Sequence, residues 1–175
     1  MDNVNHDDRD MITLASDLDV KLSKRKQKFL AYVSGPYSAL SEWEIKKNIR
    51  RAEDIAVELW KFGFAVICPH KNTEFLGGCC GAEEPWIDGD LVMVERSDLV
   101  IMGEGWENSK GALLERRHAM KMGIPVYYWP AHSLRLKWIG QHDARVSGSV
   151  ALMLDRSAKL ECRQRDLSPD LAGVG

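Results

Sequence analysis

The sequence predicts an α/β fold: a doubly wound parallel sheet of four to five strands, with helices on both faces. Short apolar runs alternate with amphipathic helical stretches between residues 28 and 130. Each run is apolar along nearly its whole length, which is typical of parallel strands that are covered on both faces. Because crossovers between parallel strands are right-handed, the helices fall on both sides of such a sheet.

Local signals give the bounds of each element. Glu42–Phe62 is predicted as a helix because its apolar residues recur every three or four positions, and Gly63 is its C-terminal cap. Ser109 is an N-cap for a later helix that ends at Gly123. In order, we expect strand 29–34, helix 42–62, strand 64–68, a long loop 69–84, helix 85–97, strand 98–102, helix 110–122 and strand 124–129.

The two ends of the chain lack this alternation. Residues 1–27 are an acidic stretch followed by a basic one, and we interpret them as a mobile N-terminal arm. The α/β domain covers residues 28–130, and residues 131–175 are predicted to be a C-terminal extension that is partly ordered. Apolar residues of this extension are expected to pack on the core at Leu134, Leu136, Trp138 and Ile139, and the cluster 150–154 to add a strand or helix.

Composition argues against several classes of protein. The 175 residues carry 24 basic and 26 acidic side chains, a net charge of −2. Without a strong positive field, nucleic acid is not an expected partner, and the basic run 21–28 is interpreted as a solvated lead-in, with a phosphate-backbone contact as the alternative. No apolar run approaches the ~18 residues of a membrane helix, so no membrane is expected either. We expect a cytoplasmic protein whose four cysteines stay reduced, without a disulfide.

The carboxyl ends of the strands are where a fold of this kind, flavodoxin-like or Rossmann-like, binds its ligands. Three loops meet there, at residues 35–41, 69–84 and 103–109. None has the glycine pattern of a dinucleotide fold or a P-loop, so neither a dinucleotide oxidoreductase nor a P-loop NTPase is favoured. Four potential zinc ligands lie around the middle loop, but their spacing fits no standard site, and we expect no metal: Cys68, His70, Cys79 and Cys80.

Two carboxylates are placed to face this crevice. Glu115 lies in the second turn of the helix that Ser109 starts, just past the third strand. Asp90 is flanked by apolar residues, and partial burial raises the pKa of a carboxyl group. Such a pair suits attack at an acetal-type carbon, with one carboxylate as the nucleophile and the other handling a proton. The alternative is that both are ordinary surface charges.

Four segments occur in an order that resembles the nucleoside 2-deoxyribosyltransferase superfamily, and most closely its deoxyribosyltransferase-like bacterial and phage domains. The likeness covers about residues 29–130. Its segments are Tyr32-Val-Ser-Gly-Pro36, Trp86-Ile-Asp-Gly-Asp90, Ser97-Asp98 and Ser109-Lys-Gly-Ala-Leu-Leu-Glu115, with Gly105-Trp106 before the last. The resemblance implies an enzyme that acts at the N-glycosidic bond of a (deoxy)nucleoside or nucleoside 5′-monophosphate, by hydrolysis or by transfer.

The resemblance also implies roles for single residues. Glu115 matches the nucleophile that attacks C1′, Asp90 the acid that contacts the leaving base, and Tyr32 the tyrosine whose hydroxyl orients the nucleophile. No metal or redox cofactor is required by this chemistry. A homo-oligomer is implied, because in the transferases a neighbouring subunit often completes the site. Five further residues are assigned to substrate binding: Gly35 and Pro36 in the first loop, Ser109 and Gly111 in the turn into the Glu115 helix, and Trp106 as a surface on which a base could stack.

A second class of function stays open beside the enzyme. The first loop, Pro36-Tyr37, departs from the basic or glycine-rich loop of the related hydrolases, which would also fit a nucleotide-binding sensor or partner-binding module without turnover. Simple packing is the alternative for Trp106. His70 is interpreted as a capping or loop residue, with a substrate contact as the alternative. His118 is interpreted as either a neighbour that tunes Glu115 or a surface residue.

Overall fold

The computed structural model describes residues 28–74, 76–80 and 85–141. The whole of the predicted N-terminal arm, the apolar cluster at 150–154 and the greater part of the predicted extension therefore lie outside the described residues.

Four parallel strands form one sheet. They are β1 (Leu30–Ser34), β2 (Ala65–Ile67), β3 (Leu99–Met102) and β4 (Val126–Tyr128), in the spatial order β2-β1-β3-β4. In this register Tyr32 of β1 stands opposite Ile67 on one side and Val100 on the other. The predicted α/β class is confirmed, and the order reverses between β1 and β3, where folds of this class bind their ligands.

Within the described residues, four helices and one 3₁₀ turn connect the strands, and a fifth helix follows the last strand. They are α1 (Glu42–Phe62), α2 (Pro69–Asn72), α3 (Trp86–Glu95), the 3₁₀ turn Trp106–Asn108, α4 (Lys110–Met122) and α5 (Ser133–Gly140). Helices α1 and α4 have the predicted bounds, since Ser41 and Ser109 cap their first turns and Gly63 and Gly123 end them with positive φ angles. No helix within the described ranges is both long enough and apolar enough to cross a bilayer.

The prediction of a loop over residues 69–84 was wrong for its first four residues. Residues 69–72 form the short helix α2, because Pro69 at the first helical position has its φ angle already fixed and lacks the N–H that would otherwise be unpaired there. Helix α3 also ends at Glu95, two residues earlier than predicted, and the hydroxyl of Ser97 donates to the Met93 carbonyl just beyond that end.

The core has two layers, one on each face of the sheet. Alternate residues of β1 point in opposite directions, so Val33 packs with α1 and α5 while Tyr32 packs with α3 and α4. Residues Ala31 to Val33 are fully buried. Because its neighbours β2 and β3 shield both edges of β1, side chains at its carboxyl end are held firmly beside the crevice.

Helix α5 closes the core on the α1 face. Leu136 and Ile139 are fully buried, as the sequence predicts, whereas Leu134 and Trp138 are 84% and 50% exposed, so that part of the prediction was wrong. The difference is geometric: positions three apart in a helix share a face, and the other two residues point away. Gly140 ends the helix against the end of α1, where a Cβ atom would lie 2.5 Å from the Phe62 carbonyl oxygen.

Gly140→Ala is expected to destabilise the protein by on the order of 1–3 kcal/mol, because the added methyl group meets backbone at Phe62 and the ring of Phe64 at 2.8 Å. Gly89→Ala is the matched control: it lies inside helix α3 with nothing within 4 Å of the added carbon. That change should stabilise by up to ~1 kcal/mol. Thermal unfolding of the two variants measures both effects, and equal melting temperatures would contradict the close approach at Gly140.

Candidate active site

A crevice of about 280 Å³ opens at the carboxyl ends of β1 and β2. Two of the three predicted loops line it, together with helix α3 and the start of α4. The third loop reaches it only through Ser109. The lining residues include Gly35 and Tyr37 from the first loop, His70, Thr73 and Gly77 from the second, Trp86, Ile87 and Asp90 from α3, and Ser109, Gly111 and Glu115 from the turn into α4 and the helix itself.

Glu115 is buried at the floor of this crevice and is only 6% exposed. The Tyr32 hydroxyl donates to its Oε1 at 3.0 Å, and the Ser34 hydroxyl donates to its Oε2 at 2.5 Å. Two donors from one strand can reach the same carboxyl group because residues two apart on a strand point to the same face. Ser34 was missed in the sequence analysis, although its spacing from Tyr32 was a usable signal.

The environment of Glu115 brings its ionisation close to neutrality. Burial raises the pKa of the Glu115 carboxyl to about 7, and the negative charge of Asp90 adds to the rise. The hydrogen bonds from Ser34 and Tyr32 act in the opposite direction, because they stabilise the carboxylate. The pKa of Tyr32 itself is raised well above its usual range, chiefly by burial, so this residue remains a hydrogen-bond donor at every ordinary pH.

Asp90 is the second carboxyl group of the crevice and lies on α3. It is half-buried, and burial raises the pKa of its carboxyl group to about 6, in the direction that its apolar sequence neighbours predict. Its Oδ1 atom is buried and has no hydrogen-bond partner among the described residues. Because α3 packs against α4, Asp90 is close enough to Glu115 for its charge to affect the ionisation there. The structure therefore brings together the two carboxylates that the sequence singles out.

The turn into α4 forms one wall of the crevice. The Ser109 hydroxyl accepts from the Ala112 N–H at 3.3 Å and caps the helix, which leaves its own O–H available as a donor. Gly111 lets α3 approach closely, since a Cβ atom there would lie 3.2 Å from Cδ1 of Ile87. A larger residue at position 111 would push apart the two helices that carry the carboxylates.

The first loop is anchored by two side chains from other elements. Asn48 of α1 donates to the Tyr37 carbonyl at 3.1 Å, and the His70 ring contacts the Pro36 carbonyl through Nε2 at 3.0 Å. Gly35 lines the crevice as expected. Pro36 lies instead along a second cavity, of about 240 Å³, on the α1 side of the sheet, so its predicted place in the crevice was wrong. The first loop returns to the crevice at Tyr37, one residue after Pro36.

His70 lines the crevice, which is where the alternative expectation of a substrate contact would place it. It is buried, and burial lowers the pKa of its imidazole, so the ring is neutral near pH 7. Because Nε2 faces a carbonyl oxygen, it carries the proton, and Nδ1 is then an acceptor. This Nδ1 is buried and unpartnered within the part of the chain that the structure describes. The contact with Pro36 spans 34 residues, which a local sequence pattern does not show.

Two further residues that the sequence offers for the site, Trp106 and His118, lie away from the crevice in the structure. Trp106 does not line it: its ring packs against Tyr128 at 5.5 Å and beneath the guanidinium group of Arg116 at 5.0 Å, which is the simple packing alternative. His118 contacts Glu95 of α3 at 2.8 Å, and no hydrogen bond joins it to Glu115. Within the described ranges, no three side chains of the His, Cys, Asp or Glu type come together as metal ligands would.

Comparisons with known proteins place the chain in a family. Residues 29–128 match the family model described as "Domain of unknown function (DUF4406)". This match spans more than half of the chain, and the protein belongs to that family. A comparison with curated proteins found no match.

The solved structures that are similar to this chain include a 2-deoxyribosyltransferase from the psychrotolerant bacterium Bacillus psychrosaccharolyticus. The two share 17% sequence identity, over 57% of this chain and 70% of that one, with a TM-score of 0.42. Membership of the deoxyribosyltransferase superfamily therefore stays a prediction from the sequence motifs, beside the family membership given above.

Proposed function

We propose that the protein cleaves, or transfers at, the N-glycosidic bond of a (deoxy)nucleoside or nucleoside 5′-monophosphate, with Glu115 as the nucleophile. One observation carries this proposal: a buried carboxylate, fixed through both oxygens by two hydroxyl donors, faces a crevice with a second carboxyl group. Nucleophilic carboxylates at acetal-type carbons are held in this manner, since attack requires a fixed direction and an ionised oxygen.

The proposed first step forms a bond between a carboxylate oxygen of Glu115 and C1′ of the sugar, while the bond from C1′ to the base nitrogen breaks. Its electron pair leaves with the base, and Asp90 donates a proton to that base. Water or a second base then attacks C1′ and gives its proton to Asp90, the bond to Glu115 breaks, and the Glu115 carboxylate is restored. The transition states resemble an oxocarbenium ion, so a nearby carboxylate also stabilises the developing positive charge.

Tyr32 and Ser34 lower the pKa of the Glu115 carboxyl, whereas the charge of Asp90 raises it. Both hydroxyls donate to Glu115 and stabilise its charged form, offsetting part of the cost of burial.

Ser109 and Gly111 stand where exposed N–H groups at a helix start favour a sugar or phosphate oxygen. Asp90 and His70 both present buried acceptors, which suit ligand hydroxyl or amino groups.

The proposal is tested by incubating the protein with the four deoxynucleosides, their 5′-monophosphates and the corresponding ribonucleotides, and measuring free base. Release of base from at least one substrate is the expected result. Ligand-induced thermal shifts are measured in parallel, since any ligand that binds the native state raises its apparent stability. A thermal shift without base release would favour the non-catalytic sensor. The absence of both would rule out every nucleoside and nucleotide of this panel as a ligand.

The pH dependence of base release is expected to be bell-shaped, with limbs near pH 6 and 7. The nucleophile must be ionised, so the rate rises as pH approaches the Glu115 pKa of about 7; the acid must be protonated, so the rate falls above the Asp90 pKa of about 6. Since the acid has the lower pKa, only ~10% of the singly protonated pairs have the productive arrangement. Initial rates between pH 5 and 9 measure the profile.

Asp90→Asn separates the two limbs of that profile. The variant has no acid to deprotonate, so its remaining rate should rise with pH to a plateau. The rising limb should follow Glu115 alone and stand at or above the wild-type limb near pH 6, because that limb marks loss of the first proton from either carboxyl group. A falling alkaline limb that persists in Asp90→Asn would show that another group supplies the proton.

His70→Asn and His70→Gln form a matched pair that tests the Nδ1 acceptor. The Asn oxygen occupies the place of Nδ1, whereas the Gln amide reaches the place of Nε2 and keeps the contact with the Pro36 carbonyl. We expect His70→Asn to bind substrate nearly as wild type does, and His70→Gln to bind it on the order of 10-fold or more weakly, since a ligand donor loses its partner. Dissociation constants measure the difference; the reverse ranking would make His70 a support of the first loop only.

A further inference from the structure

Cys79 and Cys80 are adjacent thiols at the edge of the crevice. Their Sγ atoms lie 3.3 Å apart and both side chains are exposed. They belong to the turn that follows α2, in which the Cys79 N–H donates to the Leu76 carbonyl at 3.0 Å and Gly78 has a φ angle of 80°. Gly77 of the same turn lines the crevice. The two sulfur atoms therefore belong to a turn that contributes Gly77 to the crevice wall.

The third cysteine of the described part of the chain has the opposite character. Cys68 is buried at the start of α2, and burial raises the pKa of its thiol to about 11. Since the thiolate is the reactive form of cysteine, this residue is protected from thiol reagents at neutral pH. Cys79 and Cys80 are accessible and have a partner sulfur in contact.

We propose that the Cys79–Cys80 pair is a modification site, at which a small disulfide oxidant converts the two thiols into a vicinal disulfide and thereby reshapes the turn at residues 76–80. One thiolate attacks a sulfur of the oxidant, whose S–S bond breaks, giving a mixed disulfide and one small thiolate. The second cysteine thiolate then attacks the protein sulfur of that mixed disulfide and releases the second small thiolate. The protein loses two protons and two electrons, and the electrons reduce the oxidant to two thiols.

One geometric fact favours the vicinal disulfide over a lasting mixed disulfide, and a second predicts that the turn moves when the disulfide closes. The second thiol is already in contact with the first, so the closing step is intramolecular and needs no further encounter. The Cα atoms of adjacent residues are about 3.8 Å apart, which is less than the usual ~4.4–6.8 Å of a disulfide. Closure therefore strains the turn, which must move, and strained, exposed disulfides are the readily reduced ones.

The test uses the full chain and oxidised glutathione as the probe, followed by tryptic peptide mass spectrometry. Cleavage after Lys71 and Arg96 yields one peptide, 72–96, that holds both cysteines and neither Cys68 nor Cys162. We expect this peptide to lose two hydrogen atoms on oxidation and to regain them with dithiothreitol. Cys79→Ser and Cys80→Ser should each stop at one glutathione adduct. An unmodified wild-type peptide, or one that keeps its adduct, would overturn the proposal.

Hydrogen exchange tests the change in the turn. Amide exchange of peptides covering residues 76–80 should differ between the reduced and oxidised wild-type protein. The reason is that the hydrogen bond from the Cys79 N–H to the Leu76 carbonyl lies next to the ring that the disulfide closes. Peptides of β1 serve as the internal control and should be unchanged. The double variant with serine at both positions should show no response to the oxidant. If the disulfide forms and exchange at 76–80 stays the same, the turn is not reshaped and the proposal fails, whatever the protein does to nucleosides.

Discussion

Glu115→Gln is expected to abolish base release while leaving substrate binding nearly intact. The amide has the same size as the carboxyl group and can still accept from Tyr32, but it cannot form the bond to C1′. Loss of a covalent nucleophile costs on the order of 10⁴- to 10⁶-fold in kcat, so the rate should fall to background. Single-turnover assays measure the rate, and calorimetric titration measures the dissociation constant. Glu107→Gln, an exposed glutamate of the adjoining 3₁₀ turn, is the matched control.

The stability of Glu115→Gln gives a second readout that does not depend on a substrate. Burial raises the pKa of Glu115 from 4.5 to about 7, so the native state binds this proton more tightly than the unfolded state does. The favourable contribution is complete below pH 4.5 and is lost as pH rises through 7. A glutamine does not ionise, so the gap in melting temperature between pH 5 and pH 8 should be smaller in the variant. Unchanged base release would remove Glu115 as the nucleophile.

Asp90→Asn is expected to lower kcat by on the order of 10²–10⁴-fold, the usual effect of one positioned acid or base. The loss should be smallest for substrates whose base is a good leaving group, because these need less protonation. Steady-state rates on several bases measure this dependence. Asp88→Asn, which alters an exposed carboxylate on the same helix, is the matched control and should retain the wild-type rate.

Full activity in Asp90→Asn would make Asp90 a structural carboxyl group and the two-carboxylate mechanism wrong, even with Glu115 as the nucleophile. The side chain faces the crevice, and no hydrogen bond joins its buried Oδ1 to the described residues, so the variant should fold. Circular dichroism checks that it does. An equal loss on every base, good and poor leaving groups alike, would instead indicate a role in binding.

Most of the fold follows from local patterns in the sequence. Helices α1 and α4 were predicted within a residue because serine caps, glycine terminators and an apolar face all agree on the same bounds. Glu115 was predicted to face the crevice because its helix starts where β3 ends. Such signals depend on residues a few positions apart, and they hold wherever tertiary contacts do not override them.

The features that the sequence did not predict depend on long-range contacts. The buried position of His70 results from its contact with Pro36, and the packing of Trp106 from Arg116 and Tyr128 on later elements. Neither partnership leaves a local pattern. Ser34 is different: it follows Tyr32 by two positions on a buried strand, so the second donor to the nucleophile was within reach of sequence reasoning.

The close approach of Gly140 to the end of α1 means that the part of the chain that packs as one core extends beyond the part that matches the family model. The family match ends at residue 128, yet Leu136 and Ile139 of α5 are fully buried beside Leu59 and Phe64. A fragment cut at the homology boundary would leave that apolar surface of α1 in water. An expression fragment designed from family boundaries alone should therefore be extended beyond Gly140, and sequence searches that stop at β4 leave out a helix that the core requires.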